Sequence, residues 1–444
     1  MGKPEYCIVL SLDAVGSRDF EFLKKQPNIK ELLQQASYSE EVMSVYPSIT
    51  YPAHTSIVTG HFPNAHGIIN NTKLQPFIKK PDWYWIRKAV QKKTLYEEAE
   101  KNGIRTAALL WPVTGGAHIS WNLPEILPNR PWQNQVSVLI KNGTIHYELD
   151  LNKKFGYLRE GIKQPQLDNF VHASMLYTMQ KYHPGLMLAH LTDVDTNRHL
   201  YGVDAKEAKE ALKRHDTRIG ELISLLKKEG IYEKTALFIL GDHSQIDVSH
   251  VLYPNFWLRE KGLISCKNGR VRDFQAYAHN CDGSCYIYAK KGLEKKVREK
   301  IVWAVRELQK QFPMAIKRIY TRAEAEAMGA DKQCACMLEA GEGWYFLDEM
   351  ETLAAEVDMG SKRPHMMKGI HGYQPDLPGY QTIFLASGCG IQKNKKIGKM
   401  SLIDEGPTIA ALLGISLGET AGRVLPILDG KRSLCYTETE EEWK

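Results

Sequence analysis

The sequence predicts an α/β fold: a doubly wound, mostly parallel sheet with a smaller α+β cap inserted into it. Three observations lead there. Short apolar runs suited to buried parallel strands recur along the chain, helical patterns lie between them, and one long stretch breaks the alternation. The expected strands are Tyr6 to Leu12, Thr106 to Trp111, Leu186 to Leu191, Thr235 to Leu240 and Thr382 to Ala386. The expected helices are Asn28 to Gln35, Leu95 to Asn102, Ala205 to Glu229 and Ile403 to Leu413, and Gly103, Gly230 and Gly414 stop three of them. Strands alternating with helices imply a sheet covered on both faces.

The break runs over residues 247–364. It offers a strand at Cys285 to Lys290, an amphipathic helix at Lys295 to Gln311, a strand at Ala315 to Tyr320 and a short helix at Ala323 to Met328. Two more strands follow, at Ala335 to Glu339 and Trp344 to Leu347. A core-type strand comes after it, so the expected organisation is a discontinuous core, 1–246 with 365–444, and a cap over the active site. The basic run Lys393 to Lys399 reads as a solvated loop.

Composition limits the function classes. A chain of 444 residues with a 43% hydrophobic share exceeds one ordinary domain and can bury a sizeable core. The net charge of +6 is small for this length, and basic residues are interleaved with acids, as in the Glu-rich tail 438–444. That suits a small anionic substrate and excludes a nucleic-acid polymer. The eight cysteines, Cys7, Cys266, Cys281, Cys285, Cys334, Cys336, Cys389 and Cys435, form no Cys-x-x-Cys pair. They are expected to be reduced thiols of a cytoplasmic protein. Tyr6 to Leu12 reads as a strand rather than a signal peptide, and no apolar run reaches the ~18 residues of a membrane span.

Ligands of open α/β sheets bind beyond the carboxyl ends of the strands. Asp13 ends the first strand, Asp193 and Asp195 follow the third, and Asp242-His243 follows the fourth. Any one of them reads equally well as a turn former. With His199 and His371 they make an Asp and His set without cysteine, which suits zinc, manganese or iron better than calcium or magnesium. Asp195 and His199 are four apart and share a helix face. Thr50 precedes Pro52 by two residues at a helix start, where free N–H groups and the dipole favour a phosphate. Its bland alternative is a simple helix cap.

Six segments add a resemblance: Ser11-Leu-Asp13, Tyr46-Pro-Ser-Ile-Thr-Tyr-Pro-Ala-His-Thr-Ser-Ile-Val-Thr-Gly60, Pro63-Asn-Ala-His-Gly-Ile-Ile-Asn-Asn71, Asp195-Thr-Asn-Arg-His-Leu-Tyr-Gly202, Gly241-Asp-His243 and Gly369-Ile-His-Gly-Tyr373. In order and content they resemble the type I phosphodiesterase/nucleotide pyrophosphatase family of the alkaline phosphatase superfamily. The resemblance implies an alkaline phosphatase-like core and two divalent transition-metal ions, zinc foremost and manganese as the alternative. One ion would be held by Asp195, His199 and His371, the other by Asp13, Asp242, His243 and the oxygen of Thr50. Asn71 would join the Thr50 backbone N–H in steadying a phosphoryl oxygen. The implied reaction is hydrolysis of phosphodiester or pyrophosphate bonds, with nucleotides as candidate substrates. Thr50, a weak nucleophile until a cation makes its alkoxide accessible, would form a phospho-threonine. Two departures, Ala14 for a usual glycine and Ser244-Gln245 for Gly-Met, leave the ligands but reshape the pocket.

Other residues are set aside. Asp193 is out of the family's register and reads as structural, and His54 and His66 read as hydrogen-bonded to backbone. Trp83, Tyr84 and Trp85 offer either base stacking or rim packing. His250, His279 and His365 border the cap and read as solvated. The absence of arginine between Arg18 and Arg87 disfavours a phosphomonoester. A phosphonate hydrolase similar to phosphonoacetate hydrolase is the alternative enzyme, and retention of all seven ligand positions disfavours an inactive binding module.

Overall fold

The computed structural model describes residues 2–360 and 366–429. His365, Cys435 and the acidic tail of the sequence reading lie outside the described residues, as does Pro364 at the expected cap boundary. The core is a nine-stranded sheet. Its order runs Lys395–Lys396, Ser37–Met43, Thr382–Gly388, Thr235–Gly241, Tyr6–Leu12, Leu186–Leu191, Thr106–Leu109, Trp121–Leu123, with Met400–Ser401 also on Ser37–Met43. Thr382–Gly388 runs antiparallel to both its neighbours, and every other pairing is parallel.

The central run Tyr6–Leu12 is buried on both faces because its side chains alternate between two apolar layers. Cys7 and Val9 join Ala53, Ile57, Leu95 and Ile409 from helices Thr50–Thr59, Leu95–Lys101 and Glu405–Leu413. Ile8, Leu10 and Leu12 join Phe170, Met175, Ile219 and Leu222 from helices Gln166–Tyr182 and Lys206–Lys228 on the other face. Register then fixes the site: Leu12 lies opposite both Leu191 and Gly241. The chain therefore leaves three adjacent strands at one carboxyl edge, into Asp13, into the turn before Asp195, and into Asp242-His243.

The structure extends and trims the expected elements. The strand expected to Trp111 ends at Leu109, because Leu110 and Val113 take positive φ (51° and 60°) and turn the chain away. Ser37–Met43 and Trp121–Leu123 were not expected, nor were helices Gln135–Asn142, Ile145–Phe155 and Gln166–Tyr182. Between Gly241 and Gly369 the chain builds a four-stranded antiparallel sheet, Ala276–Cys281, Ser284–Ala289, Cys336–Ala340, Ile316–Thr321. Helix Lys295–Gln311 packs Ile301, Ala304, Val305 and Leu308 into one cluster with Ala278, Ile287 and Leu338. Ile246–Asp247 pairs antiparallel with Gly369–Ile370, so the chain enters and leaves this region through paired strands. Among the described residues no helix is long and apolar enough to cross a membrane.

One buried ion pair ties the sheet edge to the helix that carries Asp195 and His199. Arg198, 1% exposed, donates to Asp19 Oδ1 at 2.5 Å and to the carbonyl of Ala14. Removing one partner of such a pair strands a buried charge and costs about 3–5 kcal/mol. Asp19→Ala is therefore expected to lower unfolding free energy by that order in urea titration. A loss below about 1 kcal/mol, the range of an exposed pair, would show that the contact does not hold the helix.

Candidate active site

Thr50 is the first residue of helix Thr50–Thr59, one position past the N-cap Ile49. Asn71 lies beside it, its Oδ1 accepting from the backbone N–H of Tyr51 at 2.9 Å. Asp13, Asp242 and His243 come together against Thr50. The Thr50 hydroxyl is 3.1 Å from His243 Nε2, which lies 3.4 Å from Asp13 Oδ1 and 3.3 Å from Asp242 Oδ2. Asp242 Oδ1 is occupied by the N–H groups of Ala14 and His243, at 3.1 and 2.9 Å. Ala14 itself takes φ 61°, the left-handed region a glycine would enter without strain.

A second group adjoins the first. His199 Nε2 is 3.1 Å from Asp195 Oδ1, and His371 Nε2 is 3.9 Å from the same oxygen. The His371 ring stands 4.3 Å from that of His243, centroid to centroid. His199 Nδ1 donates to the carbonyl of Gly369 at 2.7 Å, which turns its Nε2 toward Asp195.

These donors fit divalent cations on an internal test. Asp13 Oδ1 and Asp242 Oδ2 are buried with no hydrogen-bond partner, yet both face His243 Nε2. Orphaned buried acceptors are costly unless something positive meets them. The ligand atoms within Asp13, Asp242 and His243, and within Asp195, His199 and His371, are close enough together to share an ion. A mixed carboxylate and imidazole set without thiolate suits divalent transition metals.

Electrostatics point the same way. Burial, then the charges of Asp195 and Asp242, push Asp13 up to about 7 against its hydrogen bond from His190. Burial alone is the leading cause that lifts Asp242 to about 7. Burial would also raise Asp195, but His199, then His371 and His243, hold it well below the carboxylate range. For His199 burial is outweighed by Asp195, which raises it to about 9, whereas burial lowers both His243 and His371 and keeps them neutral.

The residues set aside also have positions. Asp193 is taken up by Arg214 at 2.7 and 2.8 Å and by Arg218 at 3.1 Å. His54 Nδ1 donates to the Thr50 carbonyl at 2.9 Å and lies 3.5 Å from Asp242 Oδ2. His66 bonds Ser56 Oγ at 2.9 Å. His250 stacks on Trp344. His279 is not solvated as expected, and neither it nor Tyr277 is an exposed cap residue: they are 2% and 8% exposed. His279 Nε2 bonds the Thr72 carbonyl at 3.1 Å, so the cap strand that carries it is pressed against the loop of Asn71.

Three residues escaped the sequence reading. His190 donates to Asp13 Oδ2 at 3.1 Å, and its only signal was a polar side chain inside the apolar run Leu186–Leu191. Gln245, flagged only as a departure, reaches Asp195 Oδ1 at 2.5 Å. Asp282 sets its Oδ2 3.2 Å from His371 Nδ1, and its sequence signal was the hairpin pair Asp282-Gly283.

Residues 7–374 match the type I phosphodiesterase / nucleotide pyrophosphatase family. The chain belongs to it, within the alkaline phosphatase superfamily. A pyrophosphatase/phosphodiesterase of Schizosaccharomyces pombe, itself uncharacterized, is 28% identical over 54% of this chain and 45% of its own length. The human ectonucleotide pyrophosphatase/phosphodiesterase family member 1 is 25% identical over 52% of this chain and 23% of its own length. The chain thus spans less than half the length of these relatives. The human bis(5'-adenosyl)-triphosphatase ENPP4 is 22% identical over 93% of this chain and 79% of its own. Murine ectonucleotide pyrophosphatase/phosphodiesterase 5 shares the fold, with a TM-score of 0.64 at 19% identity over 94% of this chain and 97% of its own. An inactive variant of that protein, in complex with AMP, aligns with the same TM-score of 0.64 at 18% identity, over 94% of this chain and 97% of its own.

The raised carboxylates set a pH dependence for the metal-free chain. Asp13 and Asp242 hold protons to about 7 when folded, against an ordinary value of 3.8. The folded state binds those protons more tightly, so their contribution to stability is full below pH 3.8 and is lost as pH rises through about 7. His199, raised to about 9, extends the loss upward. Chelator-treated protein is expected to show a thermal midpoint that falls across this window, and Asp242→Asn is expected to flatten it. The lowered His243 and His371 act in the opposite sense below 6.5, so the comparison of the two proteins decides, and an Asp242→Asn profile identical to that of the stripped wild type would contradict the arrangement.

Proposed function

We propose that this chain is a hydrolase of phosphodiester or pyrophosphate bonds, nucleotides being the substrate class, working with two divalent transition-metal ions and a phospho-threonine at Thr50. The observation that carries the reading is the convergence of two orphaned carboxylate oxygens on a neutral histidine that itself lies 3.1 Å from the hydroxyl starting a helix. Asp13, Asp242, His243 and Thr50 would hold one ion, and Asp195, His199 and His371 the other. Bound there, the ions lower the pKa of the threonine hydroxyl and of water and offset charge on the phosphoryl group. The Thr50 oxygen attacks phosphorus, the bond to the leaving oxygen breaks, and water then displaces the threonine oxygen from phosphorus, so two displacements give net retention. The N–H groups at the helix start and the Asn71 amide steady the phosphoryl oxygens.

Substrate class is supported by three further points. Arg198, the arginine nearest in sequence to the ligands, is spent on Asp19 and Ala14, so it offers no fork to a monoester dianion. Trp83, 37% exposed, meets the Tyr51 ring edge-on at 5.3 Å beside the nucleophile, a place for a nucleobase. The relatives named for bis(5'-adenosyl)-triphosphatase activity and the neighbour solved with AMP favour nucleotides over phosphonates. Residues 1–246 with 365–444 would form the catalytic core and 247–364 a cap that selects substrate. A cytoplasmic location rests on the seven described cysteines being unpaired, and recovery of the protein from medium or membranes would overturn it.

Elemental analysis is expected to give two zinc ions per chain. Thr50→Ala should keep them and lose turnover by roughly 10³-fold or more, since removing a nucleophile leaves only binding and electrostatic catalysis. The wild type should cleave a nitrophenyl nucleotide ester and a dinucleoside polyphosphate faster than a phosphomonoester. Turnover confined to phosphonoacetate would establish the phosphonate alternative, and bound ions without turnover of any of these would establish an inactive binding protein. Trp83→Ala is expected to raise KM for the dinucleoside polyphosphate more than for bis(nitrophenyl) phosphate, which has no base. Equal changes would remove Trp83 from substrate binding.

A further inference from the structure

We propose that Asp282, at the tip of a hairpin outside the core sheet, is a positioning residue that fixes the ligand His371 for its ion. The inference rests on the two-ion reading above. The two nitrogens of His371 are divided between two carboxylates: Nε2 faces Asp195 Oδ1 at 3.9 Å, while Nδ1 lies 3.2 Å from Asp282 Oδ2. Nδ1 makes no aligned hydrogen bond here, but a carboxylate oxygen 3.2 Å away favours the tautomer that carries its proton on that nitrogen. It leaves the Nε2 lone pair toward Asp195 and the ion, and makes that nitrogen a stronger donor.

The backbone shows that the contact is built rather than incidental. Strands Ala276–Cys281 and Ser284–Ala289 pair in register up to Cys281 opposite Ser284, so Asp282-Gly283 is their two-residue turn. Asp282 adopts φ 62°, a left-handed conformation that Asp-Gly hairpins accept. Gly283 N–H donates to the carbonyl of His371 itself at 2.8 Å. The Asp282 carbonyl accepts from Phe346 N–H at 2.8 Å, which stops the tip from tilting away. Against it Gly372 takes φ 89°, and a Cβ there would stand 1.8 Å from the Cys281 carbonyl oxygen. Only glycine after the ligand lets the two backbones meet this closely.

Two other ligands have outer partners from the core. His199 bonds the Gly369 carbonyl and Asp13 accepts from His190. His371 takes its partner from the inserted region. Among the described residues, Asp282 has no Lys or Arg within ion-pair distance, and His371 Nδ1 is the basic atom that lies within 4 Å of its half-buried carboxylate. The alternative is that Asp282 is present only because the turn favours it.

Two substitutions separate these roles because both preserve the turn. Asp282→Asn gives Asn-Gly, an equally favoured hairpin pair, and keeps an acceptor oxygen without the charge; Asp282→Gly gives Gly-Gly and removes the acceptor. Zinc affinity is to be measured by competition with a chromophoric chelator, with ions retained after dialysis counted and the unfolding midpoint of the metal-free forms recorded. Losing an outer partner of a ligating histidine typically weakens metal binding by ~10- to 100-fold. Asn is expected near the lower end and Gly near the upper, at one of the two sites, with metal-free midpoints close to wild type. Unchanged affinity in both variants would overturn the proposal, as would weaker binding that merely tracks a lower metal-free midpoint. Wild type that retains one zinc, weakened in these variants, would overturn the two-ion reading and keep the role of Asp282. Wild type that retains none would overturn both.

Discussion

The structure depends on one electrostatic demand: Asp13, Asp195 and Asp242 are brought into mutual range where water is largely excluded. Asp13 feels both of the others and Asp242 feels Asp195, and burial lifts these two to about 7. Moving a carboxylate into such surroundings costs several kcal/mol even after relaxation, so the arrangement needs cations to be worth keeping. The protein does not supply them from its own arginines. Arg198 is committed to Asp19, and Arg214 and Arg218 to Asp193. Positive charge is held one layer out, where it fastens helices and leaves the inner oxygens unsatisfied.

Meeting that demand takes parts of the chain that are far apart in sequence. Parallel register sets Leu12, Leu191 and Gly241 side by side, so three strand ends open at one edge without any special loop. Outer contacts then aim the donors. His190 holds one oxygen of Asp13 and leaves the other free, and the N–H groups of Ala14 and His243 do the same for Asp242. His243 and His371 are separated by the whole inserted region, yet the pairing of Ile246–Asp247 with Gly369–Ile370 returns the chain beside its point of departure. A long insertion at this place is tolerated because its ends are already closed by that ladder.

What could be read from the sequence follows from how local each signal is. A carboxylate after a continuous apolar run is visible residue by residue, which is why Asp13, Asp195 and the Asp242-His243 pair stood out. Thr50 was visible because Pro52 marks a helix start. His371 has no such local mark, and only its motif pointed to it. His190, Gln245 and Asp282 act through partners 177, 50 and 89 positions away, and no periodicity encodes that. Ser37–Met43 was missed because its polar alternation suits a sheet edge next to the shifted register at Thr382 and Phe384. His279 was read as solvated because it borders the cap, but it lies on a strand covered by the Asn71 loop, and the contact with Thr72 buries it.

That covering contact changes how the inserted region should be regarded. One hairpin, Ala276–Cys281 with Ser284–Ala289, touches the catalytic machinery at two points. Along its first strand, Asn280 accepts from Asn70 Nδ2 at 2.8 Å and His279 holds Thr72, so it braces both neighbours of Asn71. At its tip, Asp282 and Gly283 grip the side chain and the carbonyl of His371. A lid that only chose among substrates would contact the part of the molecule that does not react, and its alteration would move KM alone. A hairpin that braces the phosphoryl-binding loop and a ligand at once acts on the reacting centre too. Changes within it should therefore shift kcat together with KM, unlike changes in the outer helix Lys295–Gln311, whose contacts are with its own sheet.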